Sequence, residues 1–263
     1  VCLSSLIVRR QKRDYLKMKI SHSSCKVIKN SLNILKEFLD ETIFLFSTKG
    51  IGIADMDVSK TIFISLKIKK EEFNIYNVEQ DIKIALSLTE INEIFKKAKE
   101  DEAFTIEADK DKISIEIKGD TIRRYNLPLI DMEYKDINEP AYNFKTSFTL
   151  PKNILQQVVD NGLILSNELI INIRDKKLGF AVQETNKSAT FEMSDLVYKS
   201  IGIISSESEI TSKYSLEWLD KICKSMNPIA SECCFIELGN DFPIKLTFKD
   251  GNFRSTFYLG PRI

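Results

Sequence analysis

Residues 24–39 read SCKVIKNSLNILKEFL. Ile28, Leu32, Leu35 and Leu39 fall at i, i+4, i+7 and i+11, the spacing of one buried face of an α-helix. Lys26, Lys29, Asn33 and Lys36 fall on the opposite face. Three later segments repeat the pattern. The four begin near Ser24, Leu88, Pro151 and Ser215, a spacing of about 63 residues that marks a repeated supersecondary unit. In the second, Ser87 and Glu90 have capping-box spacing. Ile91, Ile94, Phe95 and Ala98 point inward there, and Asn92, Lys96 and Lys99 point away. In the third, Pro151 suits the first helical position, with Ile154, Leu155, Val158 and Val159 inward and Lys152 and Gln156 outward. In the fourth, Leu216, Leu219, Ile222 and Met226 go in, while Glu217, Lys221 and Lys224 share the outer face.

Short alternating or apolar runs lie between the helices, at 42–47, 60–68, 103–108, 113–117, 168–173, 233–238 and 244–248. Turn sequences such as Asp109-Lys110-Asp111, Arg174-Asp175-Lys176 and Asp250-Gly251-Asn252 bound them. One helix per several strands predicts an α+β fold with antiparallel sheets. The four units group into two similar domains, 18–126 and 143–263. The linker 127–142 holds Pro128 and Pro140 and the acids Asp131, Glu133, Asp136 and Glu139, a composition that breaks helix and strand alike. Residues 1–17 read as an accessory extension. Their apolar residues precede the basic cluster Arg9, Arg10, Lys12 and Arg13, the reverse of a secretory signal.

The 263 residues carry 38 basic and 38 acidic side chains, so no global charge excess attracts nucleic acid. Any such contact must come from lysines gathered on one surface, and the helices offer them. A solvated face is the ordinary reading of one lysine-bearing helix; recurrence on all four makes a basic lining that neutralises phosphates without reading sequence. Chemistry is otherwise sparse. The single histidine, His22, builds neither a triad nor a multi-histidine metal site. The five cysteines include no C-x-x-C pair and read as free thiols. Gly50-Ile51-Gly52 lacks the third glycine of a dinucleotide fingerprint and reads as a hairpin turn. Asp55 with Asp57, and Asp109 with Asp111, sit at turns that favour aspartate for backbone reasons. We therefore expect no catalytic residues, no metal and no cofactor. A rival reading is an α+β interaction scaffold without a DNA role; helices scattered over both faces of the sheets would favour it.

Several segments resemble the sliding-clamp family of the PCNA type. Residues 50–61, GIGIADMDVSKT, resemble the segment that ends one hairpin and begins the next strand. Residues 127–140, LPLIDMEYKDINEP, resemble the interdomain connecting loop; 214–224, YSLEWLDKICK, the last inner helix; and 240–248, NDFPIKLTF, with 256–263, TFYLGPRI, the closing strands and terminal segment. In order and spacing these cover the chain from Met18 onward. The resemblance implies a trimeric ring around duplex DNA, with helices lining the hole and sheets outside. It implies a processivity factor for DNA polymerase, in the cytoplasm on chromosomal DNA or in a nucleus. Partners implied are DNA polymerase, a clamp loader, flap endonuclease and DNA ligase, docking through short peptides with one aliphatic and two aromatic anchors. Lys29, Lys36, Lys96 and Lys224 match the DNA-facing lysines, to which helical geometry adds Lys26, Lys99, Lys152 and Lys221. The partner groove is expected at Met56, Lys60, Ile137, Glu139, Pro140, Pro243, Tyr258, Leu259, Gly260 and Pro261. Gln156 and Gln157 stand where relatives often have arginine, so the third helix is expected to hold DNA more weakly. The ending Arg262-Ile263, without an acidic tail, looks archaeal, and both homotrimeric and heterotrimeric rings fit. Subunits are expected to join by edge strands 121–125 and 177–182.

Overall fold

Apolar alternation with period two and amphipathic helices with period 3.6 produce a fold of repeated halves. The computed structural model describes residues 18–109, 112–132 and 138–262. The first half runs β1 (Met18–His22), α1 (Lys26–Lys36), β2 (Glu41–Ser47), β3 (Gly50–Met56), β4 (Ile62–Lys69), β5 (Ile75–Asn77), β6 (Ile82–Ser87), α2 (Leu88–Lys96), β7 (Ala103–Ala108), β8 (Lys112–Lys118) and β9 (Ile122–Pro128). The second half runs β10 (Thr146–Pro151), α3 (Lys152–Gly162), β11 (Glu168–Arg174), β12 (Lys177–Glu184), β13 (Lys187–Glu192), α4 (Asp195–Ile201), β14 (Ile204–Ser205), β15 (Glu209–Ser215), α5 (Leu216–Ser225), β16 (Cys233–Leu238), β17 (Ile244–Asp250) and β18 (Phe253–Leu259). Among the described residues no helix is long and apolar enough to cross a membrane.

The strands of the described residues form antiparallel sheets in the orders β5-β1-β7-β8-β9, β14-β10-β16-β17-β18-β4-β3-β2-β6 and β13-β12-β11-β15. The halves have the same plan. The order β5-β1-β7-β8-β9 reappears as β14-β10-β16-β17-β18, and β4-β3-β2-β6 reappears as β13-β12-β11-β15. The long sheet is therefore one group from each half, fused where β18 pairs with β4, from Phe253 opposite Ile68 to Leu259 opposite Ile62. The counterpart edges, β9 and β13, are left at the ends of their sheets.

Local chemistry explains the elements. Ser87 Oγ accepts the Glu90 amide at 3.3 Å and starts α2. Pro151 ends β10 and caps α3 rather than occupying its first turn, with φ −55° and ψ 132°. Gly50 opens β3 at φ +140°, where a Cβ would meet the Ile68 carbonyl oxygen at 2.0 Å. The turn after β3 is organised by Asp57, whose Oδ1 accepts the amides of Thr61 at 2.7 Å and Ile62 at 2.8 Å. Asp55 accepts the Thr42 hydroxyl at 2.7 Å. Both carboxylates are thus engaged in closing a hairpin; Asp111 lies outside the described residues.

Two expectations need correction. Asn92, placed on the outer face of α2, is buried. Strand 177–182 is not an edge: β12 lies between β11 and β13, because residues 187–192 fold back on it through a hairpin.

The fused ladder is buried on its inner side by Phe257, fully buried with its ring 5.5 Å from that of Phe38 on the α1 side and 6.1 Å from Phe248. Replacing Phe257 with alanine is expected to cost about 3–5 kcal/mol. Urea unfolding measures it; a loss below about 1 kcal/mol would show that the ladder does not depend on this contact.

Candidate functional site

Four of the helices lie side by side in the order α2–α1–α5–α3. α1 packs on α2 and α3 on α5. The α1 and α5 segments meet at their ends: Asn30 of α1 donates to the Pro228 carbonyl, past the end of α5, at 3.4 Å, and the ring of Phe38, past the end of α1, lies 6.2 Å from that of Trp218 in α5. This contiguous arrangement is the one expected of a helix-lined surface and not of a scaffold with scattered helices.

The lysines on this surface differ in what holds them. Lys26, Lys96, Lys99 and Lys224 are exposed, and Lys36 and Lys221 half-buried. Lys36 pairs with Asp40 at 2.5 Å, Lys99 with Asp120 at 3.4 Å and Lys224 with Asp220 at 2.7 Å. Lys96 lies 3.9 Å from Glu93, and Lys221 lies 3.7 Å from Glu217 and 4.7 Å above the Trp218 ring. Two lysines do something else. Lys29 Nζ donates to the Ala98 carbonyl at 2.8 Å, just past the end of α2. Lys152 Nζ donates to the carbonyls of Met226 at 3.0 Å, Asn227 at 3.4 Å and Ile229 at 2.8 Å, just past the end of α5. In each half a lysine near the start of one helix thus donates to carbonyls just past the C-terminal end of its neighbour, where a cation is also favoured by the helix dipole. Burial pulls the Lys152 pKa below the ordinary lysine value. Expected as a free outward cation, Lys152 is instead withdrawn into the backbone, so it is corrected from contact residue to structural tie.

Charge is uneven along the surface. α1 carries Lys26, Lys29 and Lys36 and no acid. α3 carries Lys152 and Asp160, and Gln156 donates to Asp160 at 2.7 Å. The α3 side is the weaker in free positive charge.

The second region lies on the opposite, outer face of the long sheet. Register aligns Met56, Phe63, Tyr258, Lys245 and Glu237 across five neighbouring strands. Tyr258 is 5% exposed because other rings cover it: Tyr142 at 6.1 Å and Phe144 at 6.3 Å, with Phe63 edge-on at 5.5 Å. Phe242 adds a ring 5.9 Å from Tyr142. The Tyr258 hydroxyl donates to Glu139 Oε1 at 2.9 Å, and Lys67 Nζ lies 3.4 Å from Glu139 Oε2. Burial acts against the Glu139 carboxylate, but the Tyr258 hydrogen bond and the Lys67 and Arg254 charges outweigh it and hold its pKa below the ordinary value. Burial, and then the Glu139 carboxylate, push the Tyr258 hydroxyl up, so it stays a donor.

Of the expected groove residues, Met56, Glu139 and Tyr258 come together on this face. Pro140, Pro243, Gly260 and Pro261 are half-buried, and the Gly260 amide donates to the Thr61 carbonyl at 3.0 Å, beside exposed Lys60. Leu259 is corrected: it is fully buried, because successive strand residues face opposite sides and Tyr258 takes the outer one. Ile137 lies outside the described residues. The rings of Phe63, Tyr142, Phe144 and Phe242 were not anticipated. The signal available for them was aromatic residues at 142 and 144, directly after the proline that closes an acidic linker. Among the described residues no three of histidine, cysteine, aspartate and glutamate gather as a metal site.

Comparison with known proteins agrees with this geometry. The family model described as proliferating cell nuclear antigen, N-terminal domain, matches residues 16–138. The chain is 27% identical over 236 residues to DNA polymerase sliding clamp 2 of Sulfolobus acidocaldarius, covering 87% of this chain and 92% of the relative. It is 27% identical over 250 residues to the DNA polymerase sliding clamp of Methanobrevibacter smithii, covering 94% and 98%. In fold it is similar to the crystal structure of PCNA from Thermococcus kodakaraensis, with TM-score 0.84 at 20% identity over 93% of this chain and 100% of that one. It is also similar to A. fulgidus PCNA bound to the C-terminal region of FEN-1, with TM-score 0.82 at 18% identity over 94% and 98%.

The carbonyl tie makes a stability prediction. Lys152→Met keeps the aliphatic stem but removes the ammonium from three carbonyls, of which that of Met226 keeps the Ile229 amide, and is expected to lose about 1–3 kcal/mol. Lys96→Met, on an exposed face, is expected to change stability by less than about 0.5 kcal/mol. Urea unfolding compares the two; equal effects would remove the tie.

Proposed function

The chain belongs to the PCNA-type family of sliding clamps, and from that premise we propose that it is a non-catalytic ring subunit that encircles duplex DNA and tethers replication and repair proteins to it. The observation that carries this reading is the contiguous surface α2–α1–α5–α3, backed by antiparallel sheets and studded with outward lysines. Helix faces of this kind meet phosphates without access to base edges, so contact is independent of sequence and sensitive to salt. Ion pairs to Asp40, Asp120 and Asp220 temper each cation, which suits a ring that must slide rather than lock.

The repeat supports assembly as a trimeric ring. Within the chain, β18 pairs with β4; the same relation between copies would pair β9 of one with β13 of the next, since these are their counterparts in the other half. In antiparallel register the Arg123 and Arg124 end of β9 would meet the Glu192 end of β13. A head-to-tail contact of this type closes a ring and removes both open edges. The two domains divide at the linker, which the sequence bounds as 127–142 but which begins only after β9 ends at Pro128, and its outer face with Met56, Tyr258 and Phe242 would receive the anchor peptides of polymerase, flap endonuclease, ligase and clamp loader. Tyr142 covers Tyr258 and would move aside for a partner ring.

Replacing Lys26, Lys36, Lys96, Lys99, Lys221 and Lys224 together with glutamine is expected to shorten retention on circular duplex DNA. It should also flatten its salt dependence by about one unit per lost phosphate contact. Lys29 and Lys152 stay, so folding is preserved. Retention and salt slope equal to wild type would overturn the DNA-facing assignment. For assembly, Ile122→Pro and Thr190→Pro remove amides from the two edges and are expected to yield monomers by light scattering, alone or with any sister subunits. Folded proline variants that still form trimers would exclude these edges.

A further inference from the structure

A row of like charges crosses the outer face of the long sheet. Register sets Lys249 of β17 opposite Arg254 of β18, Arg254 opposite Lys67 of β4, and Lys67 opposite Gly52 of β3. Directly opposed side chains hold their Cβ atoms about 4.5–5.5 Å apart, and like charges so placed destabilise a sheet. Lys49 and Lys69 join the row, and the five cations line one open cleft of about 570 Å³ that no carboxylate lines among the described residues. Its floor is bare: a Cβ at Gly52 would meet nothing within 4 Å. On a chain of zero net charge, this is a local concentration of positive charge that folding does not favour.

The position of the cleft points to its occupant. It lies on the opposite side of the sheet from the lysine-bearing helices, so duplex DNA held against those helices does not reach it. It adjoins the partner groove instead. Arg254 precedes Tyr258 by four positions on one strand, a span of about 13 Å that four extended peptide residues cover. The chemistry is already displayed at the rim. Glu139 bridges the two regions, accepting from the Tyr258 hydroxyl at 2.9 Å while its other oxygen lies 3.4 Å from Lys67 Nζ.

We propose that this cleft is a second recognition site, which takes carboxylate-rich peptide segments flanking the anchor of a docked partner. The proposal rests on the groove reading above and deepens it. The groove selects aromatic anchors by burial; the cleft selects among anchored partners by charge, raising association rate and affinity at low salt.

The test uses the full chain and fluorescent peptides of the form Gln-x-x-aliphatic-x-x-aromatic-aromatic. Each is extended at one end or the other by four Asp/Glu residues or by four Gly/Ser residues. The acidic extension at one end is expected to tighten binding about fivefold over the neutral one at low salt, and the gain to vanish at high salt. In the variant Lys69→Gln/Lys249→Gln/Arg254→Gln the gain should fall below about twofold, with the affinity for the neutral peptide unchanged. Equal affinity of acidic and neutral peptides, or a gain that survives the substitutions, overturns the proposal. So does binding of single-stranded DNA that the variant loses while acidic peptides show no preference, which would assign the cleft to nucleic acid. Amide chemical shifts on titration with an untethered oligoglutamate peptide separate the two readings. Failure of the groove leaves shifts at Lys67, Lys249 and Arg254 without anchor binding. Failure of the cleft leaves anchor binding without those shifts.

Discussion

The ladder between β18 and β4 is the interaction on which the rest depends. It joins the last strand of the chain to an early one and turns two five- and four-stranded groups into one continuous sheet. Toward its Leu259–Ile62 end both faces of the joint are covered. Inside, Phe257 packs against Phe38 and Phe248; outside, Tyr258 packs against Phe63 and beneath Tyr142 and Phe144. A strand pair buried on both faces combines backbone hydrogen bonds with apolar burial, so the halves cannot tilt independently at this joint. That rigidity sets α1 beside α5 and places the helix row on one side and the cationic row on the other.

The repeat makes the same joint serve twice. A sheet edge left open is a template for pairing, and the edges left open here, β9 and β13, are counterparts of the two strands that pair within the chain. The geometry of β18 on β4 thus describes what a neighbouring copy would supply. The lysine ties are repeated in the same spirit. Lys29 holds the end of α2 and Lys152 the end of α5, although the two lysines differ in their place along their helices. Different residues reach the same physical solution, because what must be satisfied is a set of carbonyls and not a particular position.

Much of this was legible in the amino-acid pattern, for reasons visible in single residues. The stripe Ile28, Leu32, Leu35 announces α1 because burial demands it, and 233–238 reads as a strand because its alternation is unbroken. The segment 187–192, KSATFE, has too few apolar residues to announce β13, so the pattern offers 177–182 as an edge. α4 is short and outside the period of the repeat. Lys152 looks outward on a helical wheel, but its long stem lets the ammonium bend back to three carbonyls, which no wheel records. The outer face was partly readable: Tyr258 belongs to it, whereas Leu259, one residue on, had to belong to the core by strand alternation. The rings of Tyr142 and Phe144 reach it only because the chain crosses the sheet after the linker, a long-range fact that local pattern does not contain.

Those two rings change what partner binding means energetically. Tyr258 is already buried, so a docking aromatic side chain does not remove a bare ring from water. On the proposed reading it would exchange places with Tyr142, which is itself 44% exposed and would return to solvent when displaced. The apolar gain is the difference between two similar contacts, smaller than the full burial of a partner ring. Weak anchoring of this kind leaves selectivity to whatever the partner adds beyond its anchor. The same linker that supplies the covering ring also supplies Glu139, held between Tyr258 and Lys67. On the proposed reading, moving Tyr142 aside would therefore disturb a carboxylate that pairs with Lys67 at the rim of the cationic row. If the groove and the cleft act as proposed, hydrophobic exchange in one and charge in the other are coupled through a single segment, so a partner that lifts the linker would expose cations as it inserts its rings.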